Sequence, residues 1–203
     1  MYVKICGLRD AVTARHAIDA GADAVGVVMS DGSPRNATDD EARAVVTAAR
    51  EQRGSVDTVL VVRGMDAVTA AERARDLGFD VLQLHGDYSS EDFAQAAAIH
   101  PRIWRATSLA SHPNLHAGEF AEERLLVDSA VPGSGELWDR SAVHGAQLGN
   151  DWLLAGGLTP TNVAQAIADT HPAGVDVSSG VESSPGVKDL ELITQFIEAA
   201  RSA

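Results

Sequence analysis

The chain has 203 residues, 29 acidic against 16 basic side chains, a formal charge of −13 and a single cysteine. That length suits one domain built on one core; a lone cysteine excludes an internal disulfide, and no apolar run approaches the ~20 residues of a membrane span. The acidic balance opposes binding to nucleic acid, which needs clustered Lys and Arg, and no charged, apolar, small-residue leader precedes the first strand-like run, so a cytoplasmic location is expected.

Short β-branched runs recur along the whole chain: Tyr2–Cys6, Ala24–Val28, Asp57–Val62, Asp80–His85, Arg102–Ala106, Leu125–Ser129, Trp152–Ala155 and Gly174–Ser178. Most are continuously apolar rather than alternating, as strands buried on both faces of a parallel sheet must be. Ala-rich segments of helical spacing separate them. Several carry start signals: Thr38 with Glu41, Ser89 with Asp92, and Thr159 followed by Pro160 at the first helical position. The fifth helical segment, Ser111 to Glu122, contains Pro113 and Gly118 and is expected to be short or irregular. The order strand, loop, helix predicts a single (β/α)8 TIM barrel over residues 1–203, of the α/β class. An open doubly wound sheet is the alternative, but the glycine fingerprint after the first strand is missing.

In such barrels the site is built at the carboxyl ends of the strands. Strand periodicity puts Lys4 with Cys6, and Leu126 with Asp128, on common faces. Val3, Ile5, Leu125 and Val127 suit the helix-facing layer, which turns Cys6 and Asp128 into the barrel mouth. Cys6 alone reads equally as a small buried hydrophobe; closing a strand beside Lys4, it is also a place for an exposed, electrostatically assisted thiolate. With a free pKa of ~8.5, full deprotonation gains at most ~30-fold at neutral pH, so positioning must supply more. Asp128 is either an acceptor for loop amides or an acid, and an acid needs its proton held by burial or nearby negative charge. Gly156 and Gly157 after the seventh strand, and Ser178, Ser179 and Gly180 after the eighth, stand where barrels bind phosphate through backbone N–H groups, unless they only make tight turns. Arg35 offers a fork for a carboxylate or phosphate. His85 and Asp176 have weaker individual claims to substrate. The remaining histidines, among them His144, show no ligand spacing at a strand end, so no metal is expected.

Taken in order, Lys4-Ile5-Cys6-Gly7-Leu8, Ser33-Pro34-Arg35, Gln83-Leu84-His85-Gly86, Leu126-Val127-Asp128-Ser129, Leu154-Ala155-Gly156-Gly157-Leu158, Gly174 to Glu182 and Pro185-Gly186-Val187-Lys188-Asp189 resemble phosphoribosylanthranilate isomerase, a ribulose-phosphate-binding barrel of tryptophan biosynthesis. The resemblance implies an Amadori rearrangement of N-(5-phosphoribosyl)anthranilate, without cofactor. It implies that Asp128 protonates the ring oxygen, that Cys6 takes the proton from sugar C2, that Arg35 holds the anthranilate carboxylate, and that the 156–157 and 178–180 loops cradle phosphate. A small phosphorylated substrate is the implied partner, with the chain a monomer or a homodimer. Departures lie at Gly32, where the family often has lysine, near Arg63, where it has asparagine, and at Arg140, where it has an aromatic residue. The rivals are the histidine-pathway barrel that performs the same rearrangement, or a bifunctional version, for which an aspartate is expected in place of Cys6; a metal-dependent epimerase, which needs more barrel-mouth histidines; and a catalytically silent phosphate-binding barrel.

Overall fold

The computed structural model describes residues 1–52, 56–128, 143 and 146–203. Eight parallel strands close into a barrel in chain order: β1 (Tyr2–Ile5), β2 (Ala24–Met29), β3 (Asp57–Val62), β4 (Val81–His85), β5 (Ile103–Ser108), β6 (Arg124–Asp128), β7 (Trp152–Leu154) and β8 (Gly174–Val177). β8 returns to β1 with Tyr2 opposite Gly174 and Lys4 opposite Asp176. Every run that the sequence marks as a strand is one, with ends moved by one or two residues; Ser129 lies outside the described residues.

Alternate residues of each strand serve two cores. Val3, Ile5, Val25, Val27, Leu60, Val62, Leu82, Leu84, Leu125, Val127, Leu154 and Val175 face outward onto the helices. Inside the barrel, Ala24, Val59, Val81, Trp104, Leu126 and Leu153 fill the lumen below Cys6. The barrel is therefore packed shut at its centre. At the opposite end Arg102 joins β3 to the start of β6, with Nη1 2.6 Å from Asp57 Oδ1 and Nη2 2.7 Å from Glu123 Oε1.

Six helices lie wholly within the described residues: α1 (Ala11–Asp19), α2 (Asp39–Glu51), α3 (Ala67–Leu77), α4 (Ser90–Ala97), α5 (Val163–Thr170) and α6 (Leu190–Arg201). Their inner faces are small, as in α3 with Ala67, Ala70, Ala71 and Ala74 buried, so each helix sits close on the branched outer face of the strands. Thr38 and Ser89 make the expected capping boxes with Glu41 and Asp92. Two helix expectations are corrected. The stretch from Ser111 to Glu122 forms turns with no helix, as proline and glycine at 113 and 118 forbid a regular run. Pro160 precedes α5 by one turn instead of opening it: Asn162 accepts from Thr159 N at 2.9 Å and donates to the Gly157 carbonyl at 2.9 Å, building a polar turn ahead of Val163.

Among the described residues no helix is long and apolar enough to cross a membrane.

Candidate active site

The carboxyl ends of the strands open into a cavity of about 850 Å³. Cys6, Arg35, His85, Asp128, Asp176, Ser178 and Ser179 all line it. Gly156, Gly157 and Gly180 do not line it; they form the adjoining loops after β7 and β8.

Cys6 follows β1 and points inward. It is only 5% exposed, so the expectation of an exposed thiolate is corrected: the sulfur is inside the protein. Burial pushes the thiol up, Lys4 opposes that shift and Asp176 adds to it, and the net direction is upward. The resting residue is thus a protonated thiol. Asp128 ends β6, three strands around the wall, and its side chain is 10% exposed.

His85 faces Asp128, with Nε2 3.6 Å from Oδ2. Burial, then the charges of Arg63 and Lys4, bring the imidazole down to about 4, so it is neutral at physiological pH. It brings no charge to the cavity, and its buried Nε2 has no hydrogen-bond partner among the described residues. Asp176 is drawn toward the barrel axis by Lys4, whose Nζ donates to Oδ1 at 2.7 Å.

Arg35 is the residue whose surroundings the sequence least reveals. It is not a solvated loop arginine but is buried, and its Nε and Nη2 donate to the two oxygens of Glu182 at 2.7 and 2.8 Å. Glu182 also accepts from Lys188 Nζ at 2.8 Å and from Gly186 N at 3.2 Å. Burial alone would raise the Glu182 carboxyl, but Arg35 and Lys188 outweigh it and hold the carboxyl below the usual range. The guanidinium is clamped along its Nε edge, which leaves its Nη1 N–H groups for a second anion. Gly7 is the seat of this cluster: a Cβ there would lie 2.8 Å from Arg35 Cδ and 2.9 Å from Ser178 Oγ.

Sequence reasoning named Glu182 and Lys188 only as parts of a motif and assigned them nothing. The signal present was Pro185-Gly186, a turn that folds β9 (Glu182–Ser184) and β10 (Val187–Lys188) into a small hairpin over the mouth. Gln83 was passed over too. It is 2% exposed, it lines the cavity, and its Oε1 has no hydrogen-bond partner among the described residues.

The loops after β7 and β8 are locked together. Gly156 and Gly157 both have positive φ, 84° and 65°, and a Cβ on Gly180 would lie 1.8 Å from the Leu158 carbonyl oxygen. After β8 the chain turns into a single 3-10 turn, Ser179–Val181. The N–H groups of Gly157, Ser179 and Gly180 donate to no acceptor among the described residues. Glycine is needed here for close backbone approach as much as for its φ freedom.

Of the three departures, Gly32 and Arg63 both line the cavity, so a cation is present at the end of β3 although none stands at position 32. Arg140 lies outside the described residues, as does His144. Among the described residues no group of three or more His, Cys, Asp or Glu could hold a metal ion.

A family model described as N-(5'-phosphoribosyl)anthranilate (PRA) isomerase matches residues 3–199. An N-(5'-phosphoribosyl)anthranilate isomerase of Roseiflexus sp. is 42% identical over 99% of this chain and 98% of its own. The crystal structure of TrpF from Jonesia denitrificans is 48% identical, covers 100% of this chain and 97% of its own, and superposes with a TM-score of 0.87. A phosphoribosyl anthranilate isomerase solved in complex with reduced 1-(o-carboxyphenylamino)-1-deoxyribulose 5-phosphate is 28% identical over 100% of both chains, with a TM-score of 0.80. Sequence over nearly the full length and a shared closed barrel lead to one conclusion: the chain belongs to the N-(5'-phosphoribosyl)anthranilate isomerase family and is an isomerase of tryptophan biosynthesis.

Proposed function

We propose that Asp128 and Cys6 are the acid and the base with which this chain isomerises N-(5-phosphoribosyl)anthranilate to 1-(2-carboxyphenylamino)-1-deoxyribulose 5-phosphate. Asp128 gives its proton to the furanose ring oxygen as the C1–O bond breaks, and the nitrogen lone pair closes a Schiff base at C1. Cys6, as thiolate, takes the proton from C2; those electrons form the C1–C2 double bond and neutralise the nitrogen. The enolamine then moves its hydroxyl proton to C1 and becomes the ketone. Proton transfers alone balance this internal redox change, so the chemistry requires no cofactor.

The carrying observation is that Cys6 and Asp128 share one cavity with the clamped guanidinium of Arg35. A substrate with an anion at each end is held by its ends while its middle reacts. Arg35 takes the anthranilate carboxylate along its free edge. Gly157, Ser179 and Gly180 take the phosphate through N–H groups that donate to no acceptor among the described residues, with Gly156 and Ser178 completing the two loops. His85 and Asp176 border the sugar. We further infer that the chain acts on this small phosphorylated substrate in the cytoplasm, as a monomer or a homodimer, without a nucleic-acid or membrane partner; its charge of −13 supports the first exclusion.

The test is the fall in phosphoribosylanthranilate fluorescence with the parent chain, Cys6→Ser and Asp128→Asn. Turnover by the parent and a loss of roughly 10²–10⁴-fold in each variant is the expected result. A variant within tenfold of the parent removes that residue from its role.

A further inference from the structure

Beneath Cys6 a lysine is sealed into the barrel. Lys4 is 0% exposed, yet it carries a charge at a position where an apolar side chain would fill the same space at lower desolvation cost. It does not line the cavity. Its Nζ is fixed by Asp176 Oδ1 at 2.7 Å, from the strand position directly opposite. Lys4 and Cys6 share the inward face of β1, and the Cys6 thiol and the Lys4 ammonium act on each other's charge. The neighbouring strand makes room for this pair: a Cβ on Gly26 would lie 3.0 Å from Cys6 Sγ and 3.2 Å from Lys4 Cε. A glycine in mid-strand costs stability, and here it opens the slot in which sulfur and ammonium stem lie side by side.

We propose that Lys4 is a positioning residue for the isomerisation: its ammonium, held by Asp176, is the fixed counter-charge to the Cys6 thiolate that takes the C2 proton. The inference rests on Cys6 being the base. The charged groups facing the sulfur are Lys4 on its own strand, Asp176 on β8 and Lys188 on β10; β2 presents only Gly26. Lys188 is already committed to Glu182 and to the Ser178 carbonyl, at 2.8 and 2.9 Å. Lys4 has one carboxylate partner, Asp176. Burial alone would pull its ammonium down, but Asp176 and Cys6 outweigh burial and keep it charged. Without that charge the thiol faces burial and Asp176 together, both of which favour the protonated form.

Because the chain has one cysteine, the ultraviolet absorbance of its thiolate titrates Cys6 alone. In Lys4→Met the midpoint is expected to rise by about one to three pH units, and the acid limb of kcat/KM to move with it. Activity at neutral pH falls at least about tenfold and recovers as the pH is raised. In Asp176→Asn, which keeps an acceptor for Lys4 but removes the negative charge, the thiol midpoint is expected to fall. A purely structural role for Lys4 would not move the two midpoints in opposite directions. A folded Lys4→Met protein whose thiol titrates as in the parent overturns the proposal; if Lys4→Met does not fold, an unmoved midpoint in Asp176→Asn does so. Cys6→Ser with full activity would instead sink the base assignment, and the role of Lys4 with it.

Discussion

Replacing Glu182 by glutamine removes one negative charge from between two buried cations. The side chains of Arg35, Glu182 and Lys188 are 11%, 4% and 3% exposed, so none is rescued by solvent. Removing one partner of a buried ion pair costs ~3–5 kcal/mol; glutamine keeps one acceptor oxygen, which places the expected loss at the lower end, about 3 kcal/mol. For a chain of this size that is a drop in Tm of roughly 6–12 °C. The sign with pH follows from the folded carboxyl: burial would raise it, but Arg35 and Lys188 outweigh burial and depress it. Its stabilisation is therefore complete above the unfolded value of about 4.3 and is lost as the pH falls through the folded one. Thermal melts by circular dichroism should show parent and Glu182→Gln well separated at neutral pH and converging below about pH 4. Freed of its clamp, Arg35 loses its fixed orientation, so under the carboxylate-binding role proposed for it KM should rise about tenfold while kcat changes much less. Melting within about 2 °C of the parent at neutral pH, with KM unchanged, would refute the clamp.

His85 supplies a second pH signature. Its ring is brought down to about 4 by burial, then by Arg63 and Lys4, against about 6.5 unfolded. The neutral form is favoured by the fold, so this stabilisation is full above about pH 6.5 and is lost as the pH falls toward 4, a change on the order of 3 kcal/mol. His85→Asn should flatten that part of the stability curve, and ring-proton resonances of His85 titrating above pH 5.5 would contradict the assignment. Gly180→Ala forces a methyl to within 1.8 Å of the Leu158 carbonyl oxygen and must part the loops after β7 and β8. Overpacking of this kind costs about 1–3 kcal/mol. Competition by inorganic phosphate should weaken together with Tm, and phosphate inhibition equal to the parent's would remove these loops from anion binding.

The barrel is legible in the sequence because each strand announces itself locally. Runs such as Asp57–Val62 are apolar on both faces, and period two along Val3, Lys4, Ile5 and Cys6 sorts helix-facing from lumen-facing side chains before any neighbour is known. Capping pairs at Thr38 and Ser89 work the same way, through bonds that span three residues. Where signals compete, local reading fails: Pro160 has the chemistry of a helix start, yet Asn162 builds a separate turn and the helix begins at Val163.

Which residues could serve as acid, base and anion holder was also visible, because chemistry lives in residue type and strand ends lie on one rim. Their electrostatic state was not. The thiol of Cys6 looks exposed and assisted when only Lys4 is considered, but burial is a property of the closed barrel and reverses the outcome. Arg35 looks free until Glu182, 147 residues away, is folded against it. Lys4 and Asp176, separated by 172 residues, meet only because β8 returns to β1. Sequence alone determines the strands, the faces and the inventory of reactive groups, since these depend on neighbours within a few residues. Desolvation and charge pairing sum over everything within a few ångströms, and only ring closure decides what that is.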